Sequence, residues 1–157
     1  MSITQLVNDY ASGPTKLHRA ISGMTDEQLR ARPVSGKWST HEVLCHLADF
    51  EPIHAARLKA IICFDRPELP GYDENVFLQK LAYDARNSQE ELAVILSCRG
   101  SMTRILRSLS EADFQRVGVH SELGEVTLEK LLGYATRHLP HHTQFVLEKR
   151  KALGLPT

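Results

Sequence analysis

The chain has no excess of charge of either sign. Its 19 Lys and Arg stand against 19 Asp and Glu, for a formal net charge of 0 at pH 7. A general nucleic-acid binder needs a basic surface to neutralise phosphates, and a polybasic membrane-surface protein needs the same, so neither is expected. Long apolar runs are missing too. The nearest, around Ala60 to Phe64, falls far short of the roughly 18 residues of a membrane span. Met1 to Tyr10 carries an Asp and no Lys or Arg, unlike the basic start of a signal peptide, and a cytoplasmic location is expected. Cysteine is scarce. Cys45, Cys63 and Cys98 are widely spaced with no CxxC, which suggests neither a disulfide framework nor a thiolate zinc site. Strand patterns are weak, and no internal repeat or low-complexity tract is evident. What is there is a chain of 157 residues, 42% hydrophobic, enough for one domain over 1–157 with a full core.

Helix starts recur. Thr25-Asp26-Glu27-Gln28, Ser39-Thr40-His41-Glu42 and Ser88-Gln89-Glu90-Glu91 fit the capping box, in which a hydroxyl caps one backbone N–H and the acid or amide three residues on reaches back. Ser110 to Asp113 is a weaker version, and Thr127 is placed to cap a further helix. Four long helices follow. The first covers roughly Ile3 to Ile21, disturbed or restarted at Gly13-Pro14. The second runs from Ser39 to about Ile62, bent at Pro52. The third runs from Ser88 to about Leu109, and the fourth from Thr127 to about Leu153, before Gly154 and Pro156. Short helices fit Thr25 to Arg30 and Asp73 to Ala82. Val117 to Val126 reads as a loop or a short hairpin at most. The fold class is all-α, a four-helix bundle with short extra helices in the links. The link from Cys63 to Asn87 is long for a bundle and points to a functional segment or a crossover.

Eight histidines are the unusual count. His138 and His142 are four apart and fall inside the apolar stripe Leu128, Leu131, Ala135, Phe145 and Val146, with His141 at its edge. Two imidazoles one turn apart are how a helix offers two nitrogens to one metal, although Pro140 lies between them. On the second helix His46 sits beside Val43, Leu47 and Phe50, so a third imidazole enters the core. Three His leave coordination positions open, as a catalytic site requires. Asp49 on the same face is a candidate to orient a ligand or transfer a proton. A hydrogen-bonded cluster of core histidines is the alternative.

Lys37-Trp38-Ser39-Thr40-His41-Glu42-Val43-Leu44-Cys45-His46-Leu47-Ala48-Asp49-Phe50-Glu51 closely resembles a segment of the DinB/YfiT-like superfamily, and His138-Leu139-Pro140-His141-His142 resembles its C-terminal helix motif. Gly13-Pro14, Asp26 to Leu29, Tyr72 to Asn75 and Gly124 to Leu128 extend the likeness over essentially the whole chain. The resemblance implies a four-helix bundle, often a homodimer, with a divalent metal held by one His of the second helix and two of the last. On this chain those are His46, His138 and His142, with His141 as the other register because Gln144 follows His142 by only two residues. It also implies either a thiol-dependent S-transferase or isomerase, with a low-molecular-weight thiol as cosubstrate, or a metal-dependent hydrolase.

Arg99 lies within the stripe Leu92, Ile95, Leu96, Met102 and Leu106. Either it binds an anionic substrate group or a core carboxylate, or it snorkels to water. Trp38 either lines the substrate pocket or packs at the helix start. Cys45 reads as a small buried residue and Ser39 as a cap. His18, His41, His54 and His120 share no face and read as surface or loop residues. The expectation is a metalloenzyme acting on a small molecule. Imidazole ligands suit Zn or Ni foremost and Fe or Mn next. The competing reading is a non-catalytic, ligand-binding or stress-related bundle.

Overall fold

The computed structural model describes residues 1–156. Its elements in chain order are α1 (Ile3–Ile21), α2 (Asp26–Arg30), α3 (Thr40–Cys63), β1 (Glu68–Leu69), α4 (Glu74–Lys80), α5 (Ser88–Arg107), β2 (Val117–His120), β3 (Gly124–Thr127) and α6 (Leu128–Ala152). Single 3₁₀ turns lie at Tyr83–Ala85 and Glu111–Gln115. Caps set most of the starts. Ser39 and Glu42 form a capping box at α3, as Thr25 and Gln28 do at α2. Thr127 caps α6 by accepting from the Lys130 N–H. At α5 the cap is Asn87 rather than Ser88, because the Ser88 hydroxyl is bonded to His41 instead.

The four long helices form the expected bundle. α1 packs on α5 and α6, and α3 packs on the same two, so α1 and α3 lie diagonally. The long link between α3 and α5 therefore joins neighbours and is no crossover. The connections that cross the bundle are those from α1 to α3 and from α5 to α6. The Val117 to Val126 segment is a hairpin, with Gly118 opposite Val126. β1 adds a parallel partner, Glu68 opposite Val119, which makes a small three-stranded sheet beside the helices. A Cβ on Gly118 would lie 2.9 Å from both Ile61 and Leu69, so only glycine lets the hairpin close on α3.

The apolar core is in two parts. One holds Leu6, Tyr10, Leu58, Ile61, Met102, Leu106, Leu131 and Ala135; the other holds Leu17, Leu44, Leu47, Ile95, Leu139 and Val146. Along each long helix they part at one level: Gly13-Pro14 on α1, Glu51 and His54 on α3, Arg99 on α5, His138 on α6. This polar layer explains why α1 runs unbroken through Pro14. Proline has no N–H for the carbonyl four residues back. That carbonyl, of Tyr10, accepts from Arg99 Nη1 at 3.1 Å instead. Helices α3 and α6 likewise continue through Pro52 and Pro140.

Candidate metal centre

His46 comes from the middle of α3, and His138 and His142 from consecutive turns of α6, which packs against it. One nitrogen from each ring can be chosen so that all three lie within 4.8 Å of one another. His46 Nε2 and His138 Nε2 are 3.0 Å apart. Metal–nitrogen bonds of about 2.0–2.1 Å place neighbouring ligand atoms about 3 Å apart, so the donor set fits a divalent transition-metal ion. The three rings are also held in the protonation state a ligand needs. Burial pushes the His46 imidazole down to about 4. It also takes His142 down to about 3, with neighbouring His46 adding to the effect. His138 moves the same way by burial first and then by the nearby histidines.

The surroundings are aromatic. Trp38 stands edge-on to His46 with centroids 5.4 Å apart, Phe50 lies 4.7 Å from the same ring, and Phe145 lies 5.9 Å from His142. The buried Nδ1 atoms of His46, His138 and His142 make no hydrogen bond within the described residues. Packing, rather than a carboxylate, orients these rings. The site opens on a cleft of about 290 Å³ whose wall includes Trp38, His141, His142 and Phe145. His142, rather than His141, belongs to the three-His group; the exposed His141 is its neighbour on the cleft.

Two candidates are placed elsewhere. Asp49 accepts from Arg86 at 2.9 and 3.0 Å and from the Tyr83 hydroxyl at 2.8 Å. Among the described residues it bonds to none of the three imidazoles, because the link between α3 and α5 supplies stronger partners. Arg99 neither lines the cleft nor reaches water: it is fully buried. It pairs with Glu51, donates to the Tyr10 and Ala135 carbonyls, and stacks 3.9 Å over the Tyr10 ring. The core carboxylate, not a substrate anion or solvent, is its partner. Cys45 is buried as expected, its thiol pushed up to about 12 by burial, which leaves it inert.

Of the histidines read as surface or loop residues, His41 and His120 are buried and His54 is half-buried. His41 receives the Ser88 hydroxyl at Nδ1 and donates from Nε2 to the Tyr83 carbonyl, both at 2.7 Å; a carbonyl only accepts, which fixes the tautomer. His120 lies in β2, where its Nδ1 accepts from the Glu122 N–H. His54 has both nitrogens buried without a partner and stands edge-on to His138 at 5.1 Å. Its position four after Phe50 and eight after His46 was the signal, since those spacings share a helix face.

A family model described as the DinB superfamily matches residues 10–146. A protein of Bacillus subtilis named "Putative metal-dependent hydrolase YfiT" is 30% identical over 90% of this chain and 80% of its own length. A relative of Oceanobacillus iheyensis with the same descriptive name is 29% identical over 95% of this chain and 87% of its own. The solved structure of YfiT, described as having an unusual four-helix bundle topology, superposes with a TM-score of 0.90 at 27% identity, over 99% of this chain and 91% of that one. A mycothiol-dependent maleylpyruvate isomerase matches with a TM-score of 0.74 at 11% identity, over 92% of this chain and 60% of that one, a likeness of fold. With its family model covering most of the sequence, the chain belongs to the DinB superfamily.

Proposed function

We propose that the protein is a divalent-metal-dependent enzyme that activates a nucleophile for attack on a small molecule, with hydrolysis as the first reading. The observation that carries it is the convergence of His46, His138 and His142, the first buried and the other two half-buried, neutral and beside a cleft, with no fourth protein ligand in the group among the described residues. Bound there, the ion would supply Lewis acidity towards a water or a thiol. The chain's own residues do the rest. Three imidazoles from two packed helices hold the ligand set open on the cleft side, while Trp38, Phe50 and Phe145 pack against their rings. Glu74 and His141 on the cleft are the groups placed to take up or return a proton. The names of the relatives support hydrolysis, and imidazole donors favour Zn or Ni over Fe or Mn as the ion to try first. Transfer of a low-molecular-weight thiol to an electrophile is the second reading, resting on membership of the superfamily. A cytoplasmic homodimer is the proposed working form.

The test is the metal content of untagged protein, wild type against His138→Ala, followed by ester, amide and thiol-plus-electrophile panels with the metal found. Near-stoichiometric metal that is lost in the variant supports the reading. Cleavage of esters or amides without thiol transfer selects hydrolysis, and the reverse selects transfer. No uptake of Zn, Ni, Mn or Fe by the wild type, with His142→Ala lowering only stability, leaves a ligand-binding bundle.

A further inference from the structure

Lys149 lies on α6 seven residues beyond His142, so it shares that face of the helix. It is 3% exposed, a rare state for lysine. Its Nζ donates to the Phe145 carbonyl at 3.1 Å. That bond to a carbonyl one turn back shows the side chain running towards the His142 end of the helix. An ammonium has three N–H donors, and among the described residues no carboxylate forms an ion pair with this one. A buried charge is costly unless paired, so the arrangement lacks a counter-ion. Lys149 also lines the cleft that reaches His142, and Lys37 lines it too. Glu74 is the one acidic side chain on that wall. Glu42, the nearby carboxylate at the start of α3, is already held by Arg32 and by the Ser39 N–H. Lys37 and Lys149 against Glu74 leave the wall with two positive charges and one negative, and a bound divalent ion would make it more positive. Burial lowers the Lys149 pKa, against the opposing pull of the Glu148 and Glu42 charges, and the Lys37 charge adds to the lowering.

We propose that this cleft is an oxyanion subsite, in which Lys149, with Lys37 at its mouth, holds a carboxylate or phosphate group of a small-molecule substrate whose remainder extends to His142. The orientation of the substrate rests on the reading of the three imidazoles as the reacting centre; the binding of the anion does not. Succinate and inorganic phosphate are the probes, titrated calorimetrically into metal-free and zinc-loaded protein, with Lys149→Met, Lys149→Arg and Lys37→Met alongside. Expected is saturable binding to the wild type, at least tenfold weaker in Lys149→Met, largely kept in Lys149→Arg and at least twofold weaker in Lys37→Met. The thermal midpoint of Lys149→Met is expected to equal or exceed that of the wild type, since it removes an unpaired buried charge. Tighter succinate identifies a carboxylate ligand and tighter phosphate a phosphate one; either keeps the proposal. Wild-type affinity for both anions in Lys149→Met, or no binding of either by the wild type, overturns it. If Lys149→Met does not fold, Lys37→Met decides, and unchanged affinity there overturns the proposal. Anion binding that persists in a protein taking up no metal sinks the metal-centre reading and leaves the subsite standing.

Discussion

At the scale of single residues, the Arg99–Glu51 pair has most to lose. Both side chains are fully buried, so removing one strands the other without water. Glu51→Ala is expected to cost about 3–5 kcal/mol in chemical denaturation, and Arg99→Met with Glu51→Leu less than that single change, because no lone charge then remains. A cost under about 1 kcal/mol for Glu51→Ala would mean that water reaches the pair. The histidines set the pH response of the metal-free protein. Unfolded, they titrate near 6.5; folded, His46 is pushed down to about 4 and His54 and His142 to about 3. Between those values the unfolded chain binds more protons, so stability falls as pH drops from about 6.5 towards 4, read as a falling urea midpoint. A flat midpoint over that range would show the rings to be solvated. The clustering of His46, His138 and His142 was legible because an i, i+4 pair on an apolar stripe points inward whatever surrounds it. Arg99 was not, since its choice between a carboxylate and water depends on where Glu51 of another helix stands. Lys149 was hidden in a run of charges, Glu148 to Lys151, that reads as a solvated helix end.

Among the elements, α3 does the most positioning: it carries His46 to the site and holds the long link through His41. With both ring nitrogens bonded, to Ser88 and Tyr83, His41 pins the start of α5 and the turn before it. His41→Ala is expected to cost about 1–3 kcal/mol, for two buried groups left unpaired. It is also expected to speed amide exchange in the link between α3 and α5; unchanged exchange there would show that Asp49 and Arg86 hold the link alone. Within that link α4 has no buried residue and rests by Phe77 on Phe50, 5.4 Å away, whose ring also lies against His46. The four long helices could be read from caps and periodicity, which act within a few residues. β1 could not, because two residues carry no period and pair only where β2 passes. The diagonal order of the helices was equally invisible, being set by how the faces pack.

For the whole molecule, the proposed homodimer has a direct check. Val94 and Leu96 on α5 are among the large apolar side chains left exposed; two apart, they flank the buried stripe of α5 on opposite sides, and contact with a second copy on either side would cover one of them. Sedimentation is expected to give twice the chain mass, and Val94→Lys with Leu96→Lys to give one; a monomeric wild type would remove the homodimer. The bundle as a whole was predictable once four amphipathic stretches needed one core. Its midline layer was not, because it depends on polar groups from four helices meeting at one height. His46 and His138 carry a last consequence, as they are 92 residues apart along the chain. An ion gripping both would tie a loop of that length, much as a disulfide does, and closing a loop of roughly 100 residues takes about 4–5 kcal/mol of freedom from the unfolded polymer. The ion would thus be a removable staple: loading is expected to raise the melting midpoint, and a chelator to return it.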